Sequence, residues 1–183
     1  MANVETLLAP YRVLDLTDEK GFLCGKLLAD LGADVVKVEP PGGDPSRDIG
    51  PFYHDTPDRQ ASLYWLAYNA NKRGITLDIA TPPGRDLFKS LVRTADFVVE
   101  SFPPGHMGSL GLAYDELAGI NPRIIMTSIS PFGQTGPYSA YRGSDITVTA
   151  MSGYMSTCGD PASPPLRVSF PLAYRHAGPE GAP

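Results

Sequence analysis

Five stretches hold the residues whose types and spacing suit chemistry. "KVEPPGGDPSR" sets a carboxylate, Glu39, before a rigid Pro40-Pro41, a flexible Gly-Gly and then Arg47. It reads equally as a plain surface loop, although long loops in compact domains are often functional. "NANKRGITLDI" places Lys72 and Arg73 side by side, either a phosphate-holding pair or a solvated turn. "ESFPPGHMGSLGL" joins Ser101, Phe102 and a Pro-Pro-Gly turn ending at Gly105 to a helix start, and helix N-termini offer free N–H groups to an anion. "SISPFGQTGPYSAYRGSD" combines Gly-rich turns with polar side chains, as an acyl pocket or lid does. Finally, "FPLAYRHAG", residues 170–178, sets Tyr174, Arg175 and His176 together after an apolar approach.

The familiar motifs are missing. No G-x-G-x-x-G follows the first strand-like run, so dinucleotide binding has little support. There is no P-loop, no G-x-S-x-G elbow and no metal-ligand spacing, and no metal is expected. His54, His106 and His176 are scattered. Cys24 and Cys158 are too far apart in type of segment and in sequence to make a disulfide framework, and read as reduced thiols of a cytoplasmic protein.

The elements that must position these stretches follow from periodicity. "YRVLDL" is a short strand-like run; "GFLCGKLLADLGAD" spaces Phe22, Leu23, Leu27, Leu28 and Leu31 as a helix does, with Gly32 as its natural stop. "DVVKVEP" returns to a strand ended by Pro40. "SLYWLAYNANK" predicts a short helix, "GITLDI" a strand, and "TPPGRDLFKSLVRTAD" a helix capped by Thr81 with Leu87, Phe88, Leu91 and Val92 as its apolar stripe. "FVVES" and "RIIMTSIS" predict strands, "YDELAGI" and "DITVTAMSGYM" helices. This alternation predicts a Rossmann-like α/β domain: an open, mainly parallel sheet of about five strands with helices on both faces. In such sheets ligands bind beyond the C-terminal strand ends. That singles out the loops at 39–47, 101–111 and 130–144.

Composition narrows the classes. A chain of 183 residues, 42% hydrophobic and 19% charged, fits one globular domain. Its formal net charge of -5 argues against wrapping nucleic acid or resting on anionic lipid. No apolar run reaches the roughly 18 residues of a membrane span, and "MANVETLLAPYR" lacks the charged and apolar regions of a signal peptide.

Taken in order, the stretches resemble the class III CoA-transferase family, which includes formyl-CoA and carnitine-CoA transferases and the α-methylacyl-CoA racemases. The words are "RVLDLT", "LLADLGADVVKVEPPGGDPSR", "NANKRGITLDI", "GRDLFKSLV", "ADFVVESFPPG", "LGLAYDELAGINPRIIMTSISPFGQTGPY" and "DITVTAMSGYM". The resemblance implies a Rossmann-like N-terminal domain spanning residues 1–183, an interlocked homodimer, coenzyme A or acyl-CoA as co-substrate and a carboxylic acid acceptor. It implies a truncated chain, with the family's second small domain and C-terminal return absent. By the same resemblance Glu39, Pro40 and Arg47 neighbour the nucleotide end of CoA, and Leu77 lines the adenine. Ser101, Phe102 and Gly105 fall on the strand-end motif V-E-N-F-x-P-G, with Ser101 replacing its Asn. Basic residues frequent in the family are Ala80 and Ser109 here, so Lys72, Arg73 and Arg47 are the candidate substitutes.

Family chemistry runs through an aspartate that attacks the thioester and carries the acyl group as a mixed anhydride. In "PPLRVSFPLAYRHAG" Tyr174 stands at that position. A phenol with a pKa of about 10 is neutral at pH 7 and is a poor substitute. The racemase His is replaced by Ser144. The expected function is therefore that of a CoA-transferase-like protein handling acyl-CoA. The alternative is a non-catalytic or truncated member that binds CoA or a partner. A generic nucleotide-binding reductase is disfavoured by the missing glycine fingerprint. The terminal "GPEGAP" is expected to oppose any helix following "AYRHAG".

Overall fold

A computed structural model describes residues 6–182. Five strands form one wholly parallel sheet: β1 (Arg12–Leu16), β2 (Asp34–Glu39), β3 (Arg73–Thr76), β4 (Phe97–Glu100) and β5 (Ile125–Ser128), in the order β3-β2-β1-β4-β5. The chain winds outward from β1 to β3 and returns to add β4 on the other side of β1. The switch point therefore lies between β1 and β4, where loops diverge and leave a crevice.

Side chains alternate across each strand, so each face builds its own core. Leu14, Val36 and Val98 pack with Phe88 and Val92 of α3 (Pro82–Val92) and Leu117 of α5 (Tyr114–Ile120). Val13, Val35 and Val99 pack on the other face with Cys24 and Leu28 of α1 (Phe22–Asp30). Both faces are covered, which is why these strands read as near-continuous Val runs. Thr81 caps α3 by accepting the Gly84 N–H, at 3.2 Å.

The structure departs from the sequence reading in four places. The third strand ends at Thr76, because after the Leu77 N–H reaches Glu39 O the chain turns at Asp78. Leu87 is 59% exposed, and Phe88 and Val92 bury the stripe without it. The last predicted helix is shorter: α6 (Asp145–Met151) stops before Gly153, whose φ of 79° is left-handed. Conversely, α7 (Leu172–Glu180) runs through Pro179. There the Gly181 N–H closes the last turn on Ala177 O, and tertiary packing overrides propensity.

That packing is unusually close. A Cβ at Gly178 would lie 2.6 Å from Leu23 Cβ and 3.0 Å from the Cys24 nitrogen of α1. Gly178→Ala is therefore expected to push α7 off α1, costing about 1–3 kcal/mol of stability by overpacking. Chemical denaturation checks this; an unchanged midpoint would refute it.

Candidate functional site

Beneath α1 lies a buried charge cluster. The register places Asp15 of β1 beside Lys37 of β2 on the α1 face. Asp15 is fully buried; its Oδ2 accepts from Lys72 Nζ at 2.8 Å, and its Oδ1 accepts from the Thr17 N–H and hydroxyl at 2.9 and 2.6 Å. Lys37 Nζ lies 3.6 Å from Oδ1 and donates to Thr17 O. Burial works against the carboxylate, but the two ammoniums and these hydrogen bonds outweigh it and hold its pKa at about 2.

From this cluster a line of contacts runs outward. Both ammoniums lie over the Phe22 ring, at 4.9 and 5.5 Å from its centroid. Phe22 meets Trp65 of α2 (Leu63–Asn69) edge to face at 5.4 Å. Trp65 carries the Arg47 guanidinium on its face at 4.1 Å, and Arg47 grips Glu39 through two bonds of 2.6 and 2.7 Å. Burial raises the Glu39 carboxyl, yet Arg47 and the Asp44 N–H keep it below its ordinary range. The loop after β2 is thus an ordered platform. Arg59 fastens it further by donating to Gly42 O and Asp44 O at 2.6 and 3.1 Å.

Lys72 and Arg73 do not act as a pair. The Lys72 ammonium is sealed on Asp15, Phe22 O and Asn69. Arg73 begins β3, at the far end of the sheet from the crevice, and binds Asp34 through two bonds of 2.7 and 2.6 Å. Lys72 lies just before β3 and Arg73 opens it, a separation that adjacency in sequence conceals.

Pro40, Leu77 and Phe102 do converge. With Asp78, Ala80 and His106 they help line a cleft of about 200 Å³ at the C-terminal strand ends. The Phe102 and His106 rings stack at 4.7 Å, tilted by 37°. Gly105, at φ 79°, lies in an adjoining cleft of about 250 Å³ with Glu100 and Gln134. Burial raises the Glu100 carboxyl there. Ser101 ties the two sides of the switch point: its hydroxyl accepts the Asp18 N–H at 2.7 Å and donates to Asp18 Oδ1 at 2.8 Å. The helix after the Pro-Pro-Gly turn, α4 (His106–Ser109), is a single turn and presents no developed dipole.

Tyr174 sits in the first turn of α7 beside a cavity of about 150 Å³, also lined by Lys20, Ser130 and Ala177. Asp145 accepts the Ala173 N–H at 2.8 Å and lies 3.4 Å from the Tyr174 nitrogen, so a carboxylate already caps this turn. Burial and the Glu19 carboxylate raise the Tyr174 pKa, and the phenol is neutral. Arg175 lies over the Tyr68 ring at 4.0 Å, a structural contact. Ser144 is exposed at the start of α6, where its backbone N–H donates to Thr147 Oγ1 at 2.7 Å. No group of three or more metal-ligating side chains is assembled among the described residues.

Asp15, Lys37, Trp65 and His106 escaped the sequence reading. A signal existed for three of them: charges inside the Val- and Leu-rich runs "VLDLT" and "VVKVE", and a His four residues after Phe102. Nothing local foretold that Trp65 would carry Arg47.

The wholly parallel sheet with a cleft beyond its C-terminal strand ends defines an open α/β domain, and the chain belongs to CoA-transferase family III, whose model matches residues 8–181. It is 47% identical over 167 residues to the BbsE subunit of succinyl-CoA:(R)-benzylsuccinate CoA-transferase from Thauera aromatica, covering 91% of this chain and 41% of that protein. It is 46% identical over 158 residues to acetyl-CoA:oxalate CoA-transferase from Acetobacter aceti, covering 85% and 39%. The crystal structure of a CAIB/BAIF family protein from Brucella suis superposes with a TM-score of 0.89 at 38% identity, covering 97% of this chain and 47% of that one. The chain spans less than half the length of these relatives.

Proposed function

We propose that this chain provides the CoA-binding half of a CoA-transferase that exchanges CoA between an acyl-CoA and a carboxylic acid. The observation that carries the reading is the cleft where Pro40, Leu77 and Phe102 meet beyond the strand ends, with His106 stacked behind Phe102. A flat, apolar slot suits a purine, and the loop held by Glu39 and Arg47 forms its neighbouring wall. Ser101 and Gly105 shape the turn after β4. Lys72 serves through the buried cluster and Arg73 through the sheet edge. Homodimer formation and a cytoplasmic location belong to the same reading.

Calorimetry with CoA and acetyl-CoA tests it: saturable heat is expected, and none at millimolar ligand would end the proposal. Phe102→Ala is expected to weaken CoA binding about 5- to 100-fold, the usual worth of one base–aromatic stack. An affinity equal to wild type would place the nucleotide elsewhere.

A second reading is favoured by Tyr174. With a neutral phenol at the family's nucleophile position, this chain binds CoA without carrying an acyl group itself. It then acts as a CoA-binding or interaction module.

A further inference from the structure

One cation beside the cleft has no role in the fold's ion pairs. Lys37 and Lys72 neutralise Asp15, Arg47 holds Glu39, Arg73 and Arg12 hold Asp34, Lys20 pairs with Asp18 and Arg59 with Asp48. Arg85 has no ion-pair partner among the described residues. Its guanidinium donates through Nη1 to Ala80 O at 2.8 Å, and Ala80 lines the cleft. One bond out of five available N–H donors leaves most of the fork free.

Its position is costly without a function. Arg85 is the fourth residue of α3, and a cation in the first turn opposes the helix dipole. The helix N-terminus itself has little to offer an anion: Pro82 and Pro83 have no N–H, Gly84 N–H goes to Thr81 Oγ1, and Arg85 N–H goes to Thr81 O. The guanidinium is the donor that remains. The backbone that carries it is closely seated. A Cβ at Gly84 would lie 1.8 Å from Asp78 O, so the turn bearing Leu77 to Ala80 is seated directly on the first turn of α3. The lining carboxylate, Asp78, is engaged by the Ala80 N–H at 3.0 Å.

We propose that Arg85, docked on the Ala80 carbonyl at the cleft rim, binds the ribose phosphomonoester of CoA and makes the chain select CoA over 3′-dephospho-CoA. The inference rests on the cleft being the CoA site. The planar fork matches a phosphate dianion bidentately, whereas an ammonium at the same place presents only a point charge.

Calorimetry on the full chain with CoA and 3′-dephospho-CoA, for wild type, Arg85→Ala and Arg85→Lys, tests it. Wild type is expected to prefer CoA by roughly 10- to 100-fold, the worth of a charge-assisted contact. Arg85→Ala should remove that preference while its affinity for 3′-dephospho-CoA stays at the wild-type value, which also reports an intact cleft. Arg85→Lys should retain part of it. A preference that survives in Arg85→Ala, no preference in wild type, or an equal loss for both ligands would overturn the assignment. Failure of wild type to bind either ligand would instead overturn the CoA reading on which it rests.

Discussion

Replacing Asp15 by Asn is expected to destabilise the protein by about 3–5 kcal/mol, because it strands two buried ammoniums. For a domain of this size that corresponds to a loss of roughly 6–20 °C in melting temperature. Lys37 and Lys72 are almost fully enclosed, with side chains 3% and 1% exposed, so water cannot take over the neutralisation. The effect should also reach the cleft. The same ammoniums lie on Phe22, which supports Trp65, which carries Arg47 and hence the Glu39 loop. Any folded fraction should therefore bind CoA more weakly. Denaturant unfolding followed by circular dichroism checks the first effect, and a midpoint within error of wild type would refute it.

The acid limb of stability has the same origin. The folded-state pKa of Asp15, about 2, lies below its ordinary value of 3.8. A depressed carboxylate pKa stabilises the fold above the unfolded value, and that contribution disappears as pH falls from about 4 to about 2. Asp15→Asn should flatten that part of the stability–pH curve.

The second large effect concerns the chemistry. Incubated with an acyl-CoA and then hydroxylamine, wild type is expected to yield no trapped acyl group from residue 174. Loss of a catalytic nucleophile typically costs roughly 10⁴- to 10⁶-fold in kcat, so any transfer by this chain should fall to that level. The phenol is held neutral by burial and by Glu19. Asp145 is no ready replacement, since its carboxylate is 8% exposed and caps α7 through the Ala173 N–H. Mass spectrometry of the trapped products settles this: an acyl hydroxamate arising from Tyr174 would overturn the expectation, and one arising from Asp145 would move the nucleophile.

The sequence by itself determined the class of fold and the family. Val-rich runs separated by amphipathic helices permit little besides a doubly covered parallel sheet. Thr81 and the two prolines announce α3, and the family resemblance singled out Leu77 and Phe102 before any geometry was known. What it could not decide was which charges face the cleft. Lys72 and Arg73 are adjacent in the chain, yet one is sealed under α1 and the other lies at the far edge of the sheet. Arg85, which the sequence alone places in a helix without a role, reaches the rim because the Asp78–Thr81 turn folds back onto its helix. Pairing partners lie 57 residues apart for Asp15 and Lys72, and 8 for Glu39 and Arg47. Local periodicity records which face a residue takes, but only the sheet order and the packing of helices on it decide which charges meet.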